Sequence, residues 1–542
     1  MQKRIHLGQH NYRWIAAFLL VLVAQITLLF YYGGQKSGFH EDEFYSFYSS
    51  NRTTGLFQPD REWVPQENYR NEFVVLPGEG FHYGLVTQVQ SWDVHPPLFY
   101  WILHTVCSLF PGVFSKWLGI VPNIFAFAIN YALLALLSWE WTGKKRIAFA
   151  ACLFWGFGAA VISGVMFIRM YEWLTLFVLL CTWLHIRAMK RAKFTWTGFY
   201  IPLMATVYLG FLTQYYYIIF HIFMGAGFCI WLLWGKRIKE LGKYVAACAL
   251  SLGLAILTYP ACLTHIFKGY RGTEAVAEFS NAANTVERLH FFGGLINDYV
   301  FAGYGGYWLL GLCLLSVTVM YGASKQKRPI AQVNSIFYLL VFTCMGYFVA
   351  VAKSALLLGE TSNRYQLPIY GLLILLFLFL WMQAGDQLLD RLLHHHTEHP
   401  RRQGLIKGSV YLVLLVLLFT TDLHALAADR VFFLYKEEKA NMEYAKENAD
   451  TPVVIFYHDA TPYNVWRLAD ELMEYPRVYM VDMADTAQLT DEEILHSEKL
   501  VVYIADYENQ ESYLEGLLEV NSRLTEYEKI ADKELWTIYE FH

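Results

Sequence analysis

Three adjacent carboxylates follow the first apolar segment of the chain, where His40 is followed by Glu41, Asp42 and Glu43. Neighbouring carboxylates repel one another, and this repulsion raises the pKa of at least one of them. Such a carboxylate suits a general base or a cation site. An acidic helix start explains the same cluster, because negative charge at a helix N-terminus is favourable to the helix dipole. Both interpretations stay open at this point.

A second polar cluster, Asp93 and His95, comes directly before Pro96 and Pro97. Proline fixes the backbone direction at the start of a helix. The two prolines would therefore hold Asp93 and His95 toward the membrane surface, at the start of the next helix.

An arginine stands near a tyrosine at two further places: Arg169 precedes Tyr171 and Glu172, and Arg364 precedes Tyr365. The guanidinium group is the side chain best suited to bind a phosphate. Anchoring at a membrane interface explains either pair taken alone. All four polar clusters lie at ends of apolar segments that would face the same side of a membrane. Anchoring explains four such clusters less well than it explains one.

The composition places these clusters in a membrane protein. The 542 residues are 56% hydrophobic, 17% aromatic and 16% charged, whereas soluble proteins have about 25% charged residues. These figures exclude a secreted disulfide scaffold, a disordered chain and a nucleic-acid binder. All eight cysteines lie in apolar segments and imply neither disulfides nor a zinc site. The sequence contains no Walker A motif and no GxGxxG after a predicted strand.

Eleven apolar segments are long enough to cross a membrane, which takes about 20 residues. They lie near residues 13–32, 117–140, 147–168, 172–188, 198–213, 215–234, 242–262, 304–322, 332–352, 366–386 and 408–427. The N-terminus and five short segments between the spans contain 21 Lys and Arg residues, and the positive-inside rule assigns them to the cytoplasm. The sequence therefore predicts a multi-pass membrane protein with a cytoplasmic N-terminus.

A twelfth apolar stretch, residues 96–112, is predicted to be an interfacial or re-entrant helix. A further span here would place the basic segment at Lys144 on the outer side. The first outer loop then runs from residue 33 to 116, which is long enough to be functional.

The C-terminal segment differs in charge from the rest of the chain. Residues 430–542 contain 25 Asp and Glu against 10 Lys and Arg. Four β-branched runs, at 452–457, 477–482, 499–504 and 535–540, alternate with helical patterns. We therefore predict a transmembrane domain over 1–428 and an extracytoplasmic α/β domain over 429–542.

The order of the polar motifs resembles that of bacterial family 39-type glycosyltransferases. These GT-C fold enzymes are related to protein O-mannosyltransferases and to lipid A aminoarabinose transferases. The matching motifs are Asp42-Glu43, His95-Pro-Pro-Leu-Phe-Tyr100, Arg169-x-Tyr171, Leu212-Thr213-x-Tyr215-Tyr216 and Arg364-Tyr365. The resemblance covers residues 10 to 385 approximately and does not extend to the C-terminal segment.

The resemblance implies that a sugar is transferred from a polyprenyl-phosphate carrier to an acceptor on the outer face of a bacterial plasma membrane, with inversion at the anomeric carbon. Asp42 would be the catalytic base, with Glu43 beside it. The residues implied in binding the donor and its lipid phosphate are His95, Arg169, Tyr171, Arg364 and Tyr365. Supporting roles are expected for Glu41, Asp93, Glu172 and Gln214.

This chemistry needs a base for the acceptor and positive charge for the departing phosphate. A divalent metal ion could bridge the acids and the phosphate, although Asp42-Glu43 alone is not a metal signature. The sugar and the acceptor stay open, the acceptor being a protein, a cell-wall polymer or a glycolipid. The alternative function is a polyprenyl-lipid flippase without catalysis, which would tolerate Asp42→Asn.

Overall fold

The computed structural model describes residues 9–542 except 53–57, 327–332, 357, 397–399, 459, 461–464 and 486–487. Its contacts define two compact units. The first unit comprises Met1–Tyr32, Gln90–Phe99 and Ile120–Phe432, and the second comprises Gly33–Val89, Tyr100–Gly119 and Phe433–His542. Most of the first outer loop thus belongs to the same unit as the C-terminal segment. The division between residues 428 and 429 stays a prediction.

The α-helices are numbered in chain order. Those before residue 200 are α1 Gln9–Gln35, α2 Glu41–Asn51, α3 Gln66–Phe73, α4 Tyr83–Trp92, α5 Leu98–Leu109, α6 Trp117–Thr142, α7 Lys145–Gly156, α8 Ala159–Met166 and α9 Tyr171–Arg191. Those after it are α10 Ile201–Thr213, α11 Tyr216–Trp234, α12 Ile238–Thr258, α13 Ala261–Phe267, α14 Tyr270–Ser280, α15 Thr285–Val300, α16 Gly305–Gln326, α17 Ser335–Ser354, α18 Leu367–His396, α19 Pro400–Ala427, α20 Glu438–Glu447, α21 Ala469–Leu472, α22 Glu492–His496 and α23 Gln510–Val520.

Nine helices in the described ranges are long and apolar enough to cross a membrane, namely α1, α6, α9, α11, α12, α16, α17, α18 and α19. The pair α7 and α8 adds a tenth if it forms one span, although it bends by 58°. Gly158 lies at this bend, where a Cβ atom would be 3.2 Å from the carbonyl oxygen of Trp155. The prediction of a multi-pass helical membrane protein is confirmed.

The segment 198–213, which the sequence predicts to be one membrane span, does not form a single long α-helix. A five-residue π-helix, Trp196–Tyr200, is followed by the 13-residue α10. Pro202 stands at the start of α10 and has no N–H group to continue the hydrogen bonds of a preceding helix. The described residues therefore contain nine or ten candidate spans, where the sequence predicted eleven.

The apolar stretch 96–112 contains the short helix α5, Leu98–Leu109, which is too short to be counted as a span. Gly112 follows it with a φ of +74°, a left-handed conformation that glycine adopts at little cost. The interfacial location of this helix stays a prediction.

The second unit contains a mixed six-stranded sheet in its described part. In chain order its strands are β1 Glu62–Pro65, β2 Val453–Tyr457, β3 Arg477–Asp482, β4 Leu500–Ala505, β5 Tyr527–Lys533 and β6 Trp536–Phe541. The order across the sheet is β1-β3-β2-β4-β6-β5. Strand β2 runs parallel to β3 and β4, and the other pairs are antiparallel. The predicted α/β character of the C-terminal segment is confirmed.

The four predicted strands correspond to β2, β3, β4 and β6. Strands β2 and β4 are buried along their whole length, as is typical of parallel strands covered on both faces. Strand β1 comes from the first outer loop, and its Trp63 is paired with Tyr479 of β3. The loop and the C-terminal segment therefore share one sheet.

Candidate functional site

The acidic cluster of the second unit forms the first turn of α2. The backbone N–H of Asp42 donates to His40 Nδ1 at 3.0 Å, and Glu43 Oε2 accepts the backbone N–H of His40 at 2.7 Å. This reciprocal capping box explains why the helix begins here. His40 Nδ1 lies 3.7 Å from Asp42 Oδ2, but it accepts a hydrogen bond and so has no proton to share. The Asp42 side chain is 30% exposed.

Glu43, the second acid of the Asp42-Glu43 motif, also forms a buried ion pair. Its carboxylate accepts the Lys36 ammonium at 2.8 Å, and both side chains are fully buried. The same ammonium donates to the main-chain oxygen of Phe433. Burial lowers the pKa of Lys36, and the charge of Glu43 counteracts this shift. Glu43 thus fixes the start of α2, whereas Asp42 is the more accessible of the two acids.

We expect Lys36→Met to destabilise the second unit by about 3–5 kcal/mol, because it leaves the Glu43 carboxylate buried without its cation. Chemical unfolding of the detergent-solubilised protein measures this loss. The double variant Lys36→Met/Glu43→Gln should recover part of it, since no unpaired charge then stays buried.

Lys439→Met is the matched control. Lys439 and Glu443 form an exposed pair one helical turn apart, and such pairs contribute about 0.3–0.5 kcal/mol. Equal losses for the two lysine variants would show that the burial of Lys36 and Glu43 has no energetic consequence.

In the first unit, Asp93, His95 and Arg169 form a chain of hydrogen bonds. His95 Nδ1 lies 2.9 Å from Asp93 Oδ2, and His95 Nε2 lies 3.1 Å from Arg169 Nη2. A guanidinium group can only donate, so Nε2 accepts and Nδ1–H donates to the carboxylate. Burial raises the pKa of Asp93, but the interaction with the His95 N–H and the charge of Arg169 outweigh it, so the pKa of Asp93 is lowered.

Three further side chains hold this hydrogen-bonded chain of Asp93, His95 and Arg169 in place. Tyr215 Oη lies 2.9 Å from His265 Nδ1, and His265 Nε2 lies 3.2 Å from the main-chain oxygen of Ser91. Tyr259 Oη donates to the main-chain oxygen of His95 at 3.4 Å. Tyr215 belongs to the Leu212-Thr213-x-Tyr215-Tyr216 motif. His265 is a single histidine in a short apolar helix, and no pattern in the sequence pointed to it.

A second cluster in the same unit surrounds Arg364, which is only 5% exposed. Its guanidinium carbon lies 5.2 Å from the ring centroids of Phe167 and Tyr365. The Tyr365 ring lies 6.0 Å from that of Tyr171 and 5.6 Å from that of Tyr216. Three motifs that are far apart in sequence therefore meet around one buried arginine.

The turn between α8 and α9 joins the two clusters, because Arg169 and Tyr171 are two residues apart. Arg169 is 3% exposed, so this turn holds a second buried guanidinium group. Arg, His and Tyr side chains in this arrangement can bind and neutralise a phosphate.

The remaining candidates lie elsewhere. Glu172 is fully buried and accepts Asn130 Nδ2 at 3.1 Å, so it contacts α6. Gln214 accepts the backbone N–H of Tyr215 with its own side-chain oxygen. Glu41, in the second unit, accepts the Tyr45 hydroxyl, and burial raises the pKa of Glu41. The supporting roles of these residues stay predictions.

A divalent metal was left open by the sequence. Within the described ranges, a group of three or more ligand side chains occurs only at Glu528, Glu540 and His542. These residues belong to the C-terminal sheet, and Lys499 already pairs with Glu540 at 3.0 Å. Asp42 and Glu43 do not belong to such a group, and Glu43 is occupied by Lys36.

Residues 94–259 match the family described as dolichyl-phosphate-mannose-protein mannosyltransferase. The matched region contains His95, Arg169 and Tyr171 and covers under a third of the chain. No curated protein matches the sequence significantly.

Several solved structures are similar to this one. ArnT from Cupriavidus metallidurans bound to undecaprenyl phosphate has a TM-score of 0.53 at 13% identity, covering 97% of this chain and 98% of that chain. The apo state of the same protein has a TM-score of 0.49 at 12% identity, covering 98% of both chains. The Archaeoglobus fulgidus oligosaccharyltransferase in complex with zinc and sulfate has a TM-score of 0.45 at 11% identity, covering 94% of this chain and 72% of that chain. The first match shows the ArnT fold, so the predicted GT-C fold is confirmed.

Proposed function

We propose that this protein is an inverting glycosyltransferase that takes its sugar from a polyprenyl-phosphate carrier. The observation that carries the proposal is the pair of buried guanidinium groups, Arg169 and Arg364, held beside His95 and an aromatic cluster at the ends of membrane helices. A guanidinium group binds phosphate through paired N–H donors, and the headgroup of a polyprenyl phosphate would offer such a phosphate from the membrane. The fold of a protein crystallised with undecaprenyl phosphate supports this assignment.

The reaction would be a single displacement. The acceptor hydroxyl oxygen forms a bond to the anomeric carbon as the bond from that carbon to the phosphate oxygen breaks. The bonding electron pair leaves with the lipid phosphate, whose growing negative charge Arg169 and Arg364 neutralise. The hydroxyl proton passes to the carboxylate of Asp42. One displacement inverts the anomeric configuration.

The assignment of Asp42 as the base rests on its motif and on its own surroundings. Of the two motif acids, Glu43 is fully buried in an ion pair, whereas Asp42 is 30% exposed at the first turn of α2. A carboxylate that water can reach suits proton transfer from an incoming hydroxyl.

We propose the outer face of the membrane as the side of transfer. Arg169 precedes α9 and Arg364 precedes α18, while the basic segments that follow these helices fit the cytoplasmic side by the positive-inside rule. The acceptor would then be a protein, a cell-wall polymer or a glycolipid of the cell envelope.

The test is a donor assay with the purified full-length protein. Short-chain polyprenyl phosphates carrying different sugars are incubated with the protein and a cell-envelope extract that supplies the acceptor. We expect release of the free lipid phosphate from one donor, and NMR of the product to show the opposite anomeric configuration. Binding of a donor without its consumption would contradict the enzyme and favour the flippase.

A further inference from the structure

A small basic pocket lies at the other end of α9 from Arg169. It has a volume of about 160 Å³, far above the ~10–15 Å³ that one water molecule requires. The last turn of α9 and the π-helix Trp196–Tyr200 form its walls. The residues that line it include Arg187, Arg191, Lys193, Thr195 and Gly198.

The charges that line this pocket are only partly neutralised. Arg191 pairs with Glu140 at 3.2 Å. Arg187 and Lys193 have no ion pair with a carboxylate of any described residue. The pocket therefore has an excess of positive charge and attracts an anion.

The shape of the pocket depends on a glycine. The Thr195 hydroxyl accepts the backbone N–H of Gly198 at 3.2 Å, and a Cβ atom on residue 198 would lie 2.7 Å from that oxygen. The hydroxyl keeps its own hydrogen for a second acceptor. An anion in the pocket would thus meet a hydroxyl donor besides the two cations.

Aromatic side chains place the pocket at headgroup depth. The Arg187 guanidinium lies 5.0 Å from the Trp183 ring centroid, and Trp196 is 54% exposed. Tryptophan at the end of a membrane helix is typical of the interface between lipid and water. Helix α9 has 21 residues and is about 30 Å long, so the pocket lies a membrane thickness away from Arg169.

We propose that this pocket binds the phosphate of an anionic phospholipid in the leaflet opposite to the Arg169 end of α9. The two unpaired cations recognise the charge, and Thr195 adds a hydrogen bond. Basic pockets between membrane helices commonly bind anionic headgroups. The proposal does not depend on the glycosyltransferase activity, because none of these residues belongs to the candidate site.

The test measures binding of phosphatidylglycerol to the full-length protein in neutral detergent by native mass spectrometry. We expect the double variant Arg187→Gln/Lys193→Gln to weaken binding at least ~10-fold, which corresponds to about 1.4 kcal/mol. The matched control is Lys239→Gln, an exposed lysine without an ion pair to a described residue in the first turn of α12, and it should bind as the wild type does.

Two further arms identify the source of the phosphate. Phosphatidylcholine should not compete with phosphatidylglycerol, since its headgroup has no net charge. Competition by inorganic phosphate or glycerol phosphate at the same concentration would show that the pocket serves a soluble anion and would overturn the lipid assignment. Unchanged binding by the double variant, with elution on size exclusion as for the wild type, would overturn the site itself.

Discussion

Asp42→Asn should lower the rate of sugar transfer by about 10²–10⁴-fold, the range in which general-base catalysis contributes. Asparagine has nearly the same shape as aspartate but cannot accept the acceptor's proton. The backbone N–H of residue 42 still donates to His40, so the capping box and α2 are expected to persist. Donor binding should therefore stay at the wild-type level while turnover is lost. Single-turnover assays with a saturating donor separate the two quantities.

The control for Asp42→Asn is Glu67→Gln, which removes the same charge from an exposed position on α3 of the same unit. It should transfer sugar as the wild type does. Wild-type turnover by Asp42→Asn would rule out Asp42 as the base. The Asp42→Asn variant would then no longer distinguish an enzyme from a flippase.

Arg364→Ala should weaken binding of the polyprenyl phosphate by about 2–5 kcal/mol, or roughly 30- to 5,000-fold in Kd. The guanidinium is buried between aromatic rings, so alanine would remove one of the two buried cations proposed to bind the lipid phosphate. Arg364→Lys should lose less affinity, because lysine keeps the positive charge. It should still bind more weakly than the wild type, since lysine lacks the planar pair of donors. Titration with the free lipid phosphate, followed by tryptophan fluorescence, measures these constants.

Arg271→Ala serves as the control for Arg364, because it removes an exposed arginine of the same unit. We expect it to bind the lipid phosphate with the wild-type Kd. Equal weakening by Arg364→Ala and Arg364→Lys would indicate that Arg364 packs against the aromatic rings without contacting a phosphate.

The sequence was most informative where long apolar runs and polar clusters stand in contrast. The membrane helices and the buried strands β2 and β4 are continuous apolar runs, so they could be predicted. Strand β1 has only four residues inside a long loop, and strand β5, Tyr527–Lys533, has four charged residues among its seven. Neither segment therefore shows a hydrophobic pattern. Only pairing with a neighbouring strand makes these segments into strands.

The candidate site shows the same limit. The motifs pointed to Arg169, Tyr171, Arg364 and Tyr365, and the structure brings these residues into two adjoining clusters. The contact of His265 with Tyr215 joins residues 50 positions apart, and no local pattern encodes it. The ion pair of Lys36 with Glu43 crosses the turn between α1 and α2, which helical spacing alone does not reveal.

The shared sheet of the second unit constrains how the protein is made. Glu62 of β1 is paired with Met480 of β3, and the membrane helices α6 to α19 are encoded between them. At ribosomal speeds of about 5–20 residues per second, β1 waits roughly 20–80 s for its partner to be synthesised. An unpaired strand edge invites association with other chains during that time. The sheet can therefore close only after the last span has left the ribosome, which makes its completion a late step of biogenesis.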